Sequence, residues 1–369
     1  MTELYIGLMS GTSVDAIDAA LVDFSSKNWR LVSTYSHPIP PQLKQSILDL
    51  CLPNGDEIDP MGTMDRELGY FFSEATLELV KRSPYSAKDI CAIGSHGQTI
   101  RHRPDLDRAF TLQIGDPFTI AAKTGIDTVA DFRRRDIAEG GQGAPLTPGF
   151  HLALLKYNKI DTPTCIVNIG GMANVTVIHK DDRVIGFDTG PGNALMDGWI
   201  QQQLGKPYDN NGKWAASGKI NSRLLDELLR HPFLQKQPPK STGREDFNLP
   251  WLHTLLAKQP GTAAQDVQAT LAEFTVCTIA KHIAQYPDAK GVYACGGGTH
   301  SNHLLTRLRQ LLPNNYIQTT AALGIDPDWI EAAAFAWLAM CHIHRKPGNL
   351  PSVTGAKKSV SLGAFFPSR

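Results

Sequence analysis

The chain has 369 residues, 42% hydrophobic and 20% charged, the make-up of an ordinary globular protein long enough for two domains. Lys plus Arg and Asp plus Glu both number 36, so the net charge is zero and nothing electrostatic favours nucleic acid or an anionic membrane as partner. No apolar run approaches 18 residues, no basic-then-apolar leader opens the chain, and six scattered cysteines form no CxxC pair; a cytoplasmic protein is expected.

Short alternating runs at 4–9 (LYIGLM), 16–24 (AIDAALVDF) and 29–39 (WRLVSTYSHPI) predict three strands joined by hairpin-length turns. Helical spacing follows at 40–52 and 59–82, where Met61, Met64, Leu68, Phe71 and Phe72 read as core. A strand at 90–95 ends on His96-Gly97-Gln98. Next come a strand at 110–115, a helix at 117–125, a strand at 127–132, a Gly-rich loop at 138–145 and a helix at 147–157.

The opening pattern then returns. Residues 164–171 (TCIVNIGG), 172–179 (MANVTVIH) and 183–190 (RVIGFDTG) predict three more strands, with the first again ending in glycine. Helices at 192–205, 222–231 and 263–285 follow, then a strand at 291–295, a helix at 303–313, a strand at 316–320 and an Ala-rich helix at 328–343. The Pro-rich stretch 236–246 (KQPPKSTGRED) reads as a mobile excursion. Two copies of one pattern predict an α/β protein of two similar domains with a cleft between them. The boundaries expected are 1–130 and 131–354, with a final strand within 355–369 returning to cover an edge of the first.

Three Gly-rich turns each follow a strand, at 9–13 (MSGTS), 169–174 (IGGMAN) and 295–302 (CGGGTHSN). Glycine lets backbone N–H groups approach phosphate oxygens closely. One such turn is most simply a hairpin; three, two of them at equivalent places in a repeat, point to a nucleotide. Asp188 ends a strand before Gly-Pro-Gly-Asn, as a helix-start aspartate or as a general base on a rigid turn. Asp15, nearest the first turn, is either a surface carboxylate or a partner of Mg²⁺ through water. His96, Gln98 and Arg133 are strand-end polar residues suited to sugar hydroxyls or a carboxylate, although Arg133, Arg134 and Arg135 cannot all face one ligand. Glu331 is either a helix-start charge or a cleft residue.

Taken together, IGLMSGTSVDAID, GSHGQT, QIGDP, ADFRRRDIAEGGQGAPL, NIGGMANVT, GFDTGPGNALMD, CGGGTHSNHLL and the Glu331 helix resemble the acetate and sugar kinase, Hsc70 and actin superfamily. Within it they resemble the anhydro-N-acetylmuramic acid kinase family, over nearly the whole chain. The resemblance implies two ribonuclease-H-like domains around a nucleotide cleft, with ATP and Mg²⁺. Gly11, Thr12, Ser13, Val14, Asp15, Ala16, Ile17 and Asp18 would form the first phosphate hairpin. Asn168, Gly170 and Gly171 would belong to the second, and Gly296, Gly297 and Gly298 would pass the adenosine. Asp188 falls on the family's base, which activates water to open a 1,6-anhydro bridge while O6 takes the γ-phosphoryl group. His96, Gln98, Arg133 and Glu331 are the expected sugar contacts, with Arg133 on the lactyl carboxylate. One departure is Ala16, where glycine is expected after the Asp of GTSxD. The partner implied is the small sugar, with a homodimer left open. Alternatives are an ordinary hexosamine or acetate-type kinase and a non-catalytic sugar-binding regulator. A serine hydrolase using Ser10 or Ser13 with His96 lacks the Gly-x-Ser-x-Gly elbow.

Overall fold

A computed structural model describes residues 3–11, 13–25, 29–52, 57–238 and 240–369. The first three strands form an antiparallel meander of β1 (Leu4–Met9), β2 (Ala16–Asp23) and β3 (Arg30–Pro38). Two helices follow, α1 (Pro41–Cys51) and α2 (Ile58–Lys81). In α2 the buried Met64, Leu68, Phe72, Ala75 and Leu79 recur at helical spacing, giving one apolar stripe toward the sheet. Strand β4 (Ile90–Ser95) lies parallel to β1. A separate ribbon of β5 (Gln98–Arg103) and β6 (Phe110–Ile114) leads to α3 (Pro117–Thr124), whose first N–H groups are capped by the Asp116 carboxylate. Strand β7 (Thr128–Ala130) runs parallel to β4 and is followed by α4 (Phe132–Ala138) and α5 (Thr147–Tyr157).

The second meander is β8 (Thr164–Ile169), β9 (Met172–Ile178) and β10 (Val184–Pro191). It is followed by α6 (Ala194–Leu204), α7 (Lys213–Ser217), α8 (Ser222–Leu229), α9 (Leu249–Leu256) and α10 (Ala264–Ile283). Then come β11 (Gly291–Cys295), α11 (Asn302–Leu311) and β12 (Tyr316–Thr319), with β11 parallel to both β8 and β12. The chain ends with α12 (Ile330–Ile343) and β13 (Ala364–Phe366), the latter antiparallel to β7.

The sheet orders are β13-β7-β4-β1-β2-β3 and β10-β9-β8-β11-β12. With the β5–β6 ribbon and the added β13 left out of the count, both have the third, second, first, fourth and fifth strands of their repeat side by side, which is the ribonuclease-H-like order. Each sheet has its own core: Leu4, Ile6, Leu8, Leu68 and Phe72 in one, Val167, Val175, Val177, Phe274 and Ile279 in the other.

Chain contacts divide the molecule into one unit running to Asn158 and resuming at Gly324, and a second at Lys159–Leu323. This departs from the expected boundaries, because residues 131–158 and 324–354 belong with the first sheet. The reason is close packing. A Cβ on Gly7 of β1 would overlap the Ala332 carbonyl, and one on Gly94 of β4 would overlap that of Phe335. Two glycines thus admit the Ala-rich face of α12 directly onto the first sheet. Among the described residues no helix is long and apolar enough to cross a membrane.

Candidate active site

The first hairpin turn is strained at one place. Val14 adopts φ +53°, a region that β-branched residues rarely enter, while its side chain is buried and its N–H donates to the Gly11 carbonyl at 3.2 Å. A Cβ on Gly11 would meet nothing within 4 Å, so packing does not require glycine there. Thr12 lies outside the described residues. Ser13 is exposed, Ala16 half-buried and Ile17 a core side chain. Ser10, buried beside the turn, donates to Gln98 Oε1 at 2.7 Å, and Gln98 Nε2 donates to the Thr99 carbonyl at 3.2 Å. Gln98 therefore ties β5 to the turn with the amide expected to grip a sugar.

The three consecutive arginines separate. Arg134 pairs with Asp131 and Arg135 with Glu139, i,i+3 and i,i+4 pairs from exposed arginines to the two ends of α4. Arg133 turns inward. Its Nε and Nη2 reach His96 Nε2 at 3.1 and 2.9 Å, and its Nη1 donates to the Gly143 carbonyl at 2.8 Å. Two donors converging on Nε2 make that nitrogen an acceptor, so His96 is neutral with its proton on Nδ1. Burial and the Arg133 charge hold the His96 pKa well below its usual value, in the same direction. Burial also lowers the Arg133 pKa to about 10, against the pull of Glu331 and Asp136, so the guanidinium stays charged at neutral pH. It forms no ion pair among the described residues: its direct partners are neutral.

The Gly143 carbonyl is held in place by Asp136, a fully buried carboxylate. Asp136 accepts from Gly143 N–H at 2.8 Å, Asn349 Nδ2 at 2.7 Å and Thr354 Oγ1 at 2.7 Å. These bonds staple the Gly-rich loop to the C-terminal segment and so fix one of the acceptors of Arg133.

Two carboxylates complete this half. Solvent reaches Glu331 at the start of α12, but protein crowding raises its pKa, Arg133 pulls it down and Asp18 pushes it up. Asp18 on β2 accepts from Ser36 Oγ at 2.8 Å; burial raises its pKa, the serine bond opposes this and Asp328 adds to it. Among the described residues Asp18 forms no ion pair. Asp15 differs: it is exposed and pairs with Lys44 Nζ at 2.5 Å, so a lysine already meets the carboxylate expected to face Mg²⁺.

In the second unit the β8–β9 turn is bonded to the start of α6. The carbonyls of Gly170 and Gly171 accept from the N–H groups of Asn193, Gly192 and Ala194 at 2.8–3.1 Å. Asp188 lies on the adjoining strand, opposite Asn174, where the β9–β10 register slips between Asp188 and Gly190. Such bulges re-aim side chains. Its Oδ2 accepts from Ser241 Oγ at 3.0 Å and Thr242 N–H at 2.9 Å. Burial raises its pKa, the Thr242, Ser241 and Lys240 interactions oppose the rise, and Glu245 adds to it. The stretch expected to be a mobile excursion thus supplies both donors to the candidate base.

The third glycine turn has a packing explanation for two of its members. Gly296 has φ +80°, and a Cβ there would overlap Asn168 Oδ1; one on Gly298 would overlap the Ile169 side chain. Gly297 has nothing within 4 Å and is the member with open space before it. Asp197, which the sequence reading passed over, sits in the first turn of α6. Burial raises its pKa to about 7, with Arg244 opposing and Asp209 adding to the rise. Its position one helical turn after Asn193 was the available signal.

The anhydro-N-acetylmuramic acid kinase family model matches residues 3–368. The chain belongs to this family. It is 49% identical over 366 residues to the anhydro-N-acetylmuramic acid kinase of Shewanella sp. (strain ANA-3), covering 99% of both chains. It is 50% identical over 368 residues to that of Shewanella sediminis, covering 100% of this chain and 99% of the relative. A solved structure, component A of the Acidaminococcus fermentans (R)-2-hydroxyglutaryl-CoA dehydratase, aligns at TM-score 0.47 and 13% identity over 91% of this chain and 98% of its own. Three or more His, Cys, Asp or Glu side chains gathered as a metal cage are absent among the described residues.

Proposed function

We propose that the protein converts 1,6-anhydro-N-acetylmuramic acid, ATP and water into N-acetylmuramic acid 6-phosphate and ADP, a step in recovering cell-wall amino sugar. The observation that carries the reading is Asp188, a largely desolvated carboxylate with Oδ2 pinned by two donors on a bulged strand end. A base of this kind takes a proton from water as the water oxygen bonds to C1. The C1–O6 bond breaks, and O6 takes the γ-phosphoryl group as ADP leaves. Phosphoryl transfer needs positioning and charge neutralisation more than covalent help.

Arg133 is the proposed contact for the lactyl carboxylate. Its direct partners among the described residues are neutral, so an anion would meet a guanidinium without a bonded counter-ion, already fixed in orientation. His96 and Gln98 act behind it as supports, and Glu331 is a candidate for sugar hydroxyls. The hairpin residues 11–18, Asn168, Gly170, Gly171 and Gly297 are proposed for ATP, with Gly296 and Gly298 shaping that turn through packing.

Mg²⁺ commonly binds through one or two carboxylates and substrate phosphates, so it needs no all-protein cage. Asp18 fits that role: a carboxylate with no ion pair among the described residues, destabilised by burial and by Asp328, gains from a cation. Asp15 fits less well because Lys44 holds it. The ion would neutralise charge on the β- and γ-phosphates.

The test is a reaction of the purified protein with ATP, Mg²⁺ and the anhydro-sugar. The reading expects ADP and a reducing sugar 6-phosphate in equal amounts. ADP with a phosphorylated sugar that keeps its anhydro bridge would identify an ordinary sugar kinase instead, and binding without ADP release would identify a regulator.

A further inference from the structure

The segment around Lys240 is bonded to β10 at three successive residues. The Lys240 carbonyl accepts from Asp188 N–H at 3.1 Å, Ser241 Oγ donates to Asp188 Oδ2, and so does Thr242 N–H. Beyond them the chain is locked: Thr242 Oγ1 donates to Asp246 Oδ2 at 2.7 Å, and the Asp246 and Phe247 N–H groups both reach the Gly243 carbonyl at 3.2 Å. Phe247 anchors the far end in the core, at 1% exposure.

The Lys240 side chain points inward. It is 8% exposed, its Nζ has no hydrogen-bond partner among the described residues, and it lies 4.8 Å from the centre of the Phe233 ring. A buried ammonium without a hydrogen bond is costly, and cation–π contact offsets only part of that cost. The nearby carboxylate is Asp188, whose attraction favours the charged lysine; burial, Lys281 and Lys236 act against it. Among the other charged or titratable groups, Glu245 repels Asp188 from the same segment. His282 of α10 is near Lys240 and packs with a tilted ring against Phe187, with Nδ1 2.7 Å from the Thr278 carbonyl.

We infer that residues 240–242 form a positioning strap for the base: Ser241 and Thr242 hold Oδ2 of Asp188 so that Oδ1 takes the proton, and Lys240, bonded to the Asp188 N–H through its carbonyl, carries its buried ammonium on the same segment. The inference rests on Asp188 being the base. Lys240, Ser241 and Thr242 act through Asp188 and not on the substrate.

The physical consequence is a link between a side chain that touches no substrate and the pH dependence of turnover. Without the lysine charge a desolvated carboxylate holds its proton to higher pH. Without the serine hydroxyl, Oδ2 loses one donor that stabilises the charged form, and the carboxylate gains rotational freedom.

The experiment is a profile of kcat and of both KM values from pH 5.5 to 9 for wild type, Lys240→Met, Ser241→Ala and Asp188→Asn. Lys240→Met should lower kcat by about tenfold at pH 6, with the deficit closing toward pH 8.5 and the KM for ATP unchanged. Ser241→Ala should shift the acid limb the same way, with a loss of about threefold at pH 6. This variant keeps the inference testable if the lysine variant does not fold. A loss that is the same at every pH, or unmoved acid limbs in both variants, overturns the strap while an inactive Asp188→Asn leaves the base reading standing. An active Asp188→Asn removes the base reading itself, and the strap with it.

Discussion

In the first unit a cation is held by neutral acceptors; in the second a carboxylate is held by neutral donors. Arg133 rests on His96 and the Gly143 carbonyl, while Asp188 rests on Ser241 and the Thr242 N–H. The two sheets share one strand order, yet the two groups held in this way, Arg133 and Asp188, carry opposite charge. In neither case is the charge cancelled by a bonded counter-ion among the described residues. A charged group oriented by neutral partners keeps its field for a ligand or a proton, which is the purpose the proposed reaction gives to each. The lesson is that repetition of a fold sets the places for functional groups, and the residues put there set the chemistry.

The sharpest way to break this comparison is Asp188→Asn. It should reduce kcat at least about a hundredfold, the scale of a lost general base, and leave the KM for ATP within about twofold. A steady-state assay that finds the loss in KM instead would make Asp188 a binding group like Arg133. Next in size is Gly7→Ala, which forces a methyl into the α12 backbone. Overpacking of this kind costs about 2–3 kcal/mol, read as a lower urea midpoint, and should raise the sugar KM because α12 carries Glu331. Unchanged stability would mean that α12 is not seated on β1 as described.

Arg133→Ala should raise the KM for the sugar about tenfold while affecting that for ATP far less. The reverse pattern would put the guanidinium at the phosphates. The smallest effect concerns Asp197, whose carboxyl is raised to about 7 by burial. A raised acid favours the fold in its protonated form, so this site's contribution falls as pH rises from the unfolded value toward 7 and stays lost above it. Asp197→Asn should therefore raise Tm by roughly 2 °C relative to wild type at pH 8 and by less at pH 5. Equal changes at both pH values would show that Asp197 is not the group responsible.

Much of the architecture could be read from local pattern. The returning strand–turn–strand–turn–strand motif marked both meanders, and the buried stripe of α2 followed from its spacing. What escaped depended on contacts far apart in sequence. Residues 98–103 carry Gln98, Arg101, His102 and Arg103 and read as polar, yet they form β5 through pairing with β6. Residues 133–136 read as a strand-end polar cluster but lie within α4, a short helix after Asp131 at φ +58°. An Ala-rich helix looks the same whichever sheet it covers, so the unit holding Glu331 was legible only from Gly7 and Gly94.

The candidate site was legible to a similar depth. Asp188 and Arg133 stood out as charges at strand ends, but the residues that hold them did not. Ser241 and Thr242 lie more than 50 residues from Asp188, and nothing in their own neighbourhood advertises the bond. Gln98 was legible as polar and strand-terminal, whereas its engagement with Ser10 required the fold. Asp15 read as the Mg²⁺ partner because it is nearest the turn, and only the fold shows Lys44 already paired with it.

The most direct test of the central claim is the fate of oxygen from water during turnover. Reaction with ATP, Mg²⁺ and 1,6-anhydro-N-acetylmuramic acid in oxygen-18 water, quenched before exchange at the anomeric carbon, should give a sugar phosphate labelled once, at C1, with no label in the phosphoryl group. A phosphorylated sugar without label at C1 would contradict the account, because the bridge would then not have been opened by the water that Asp188 is held to activate.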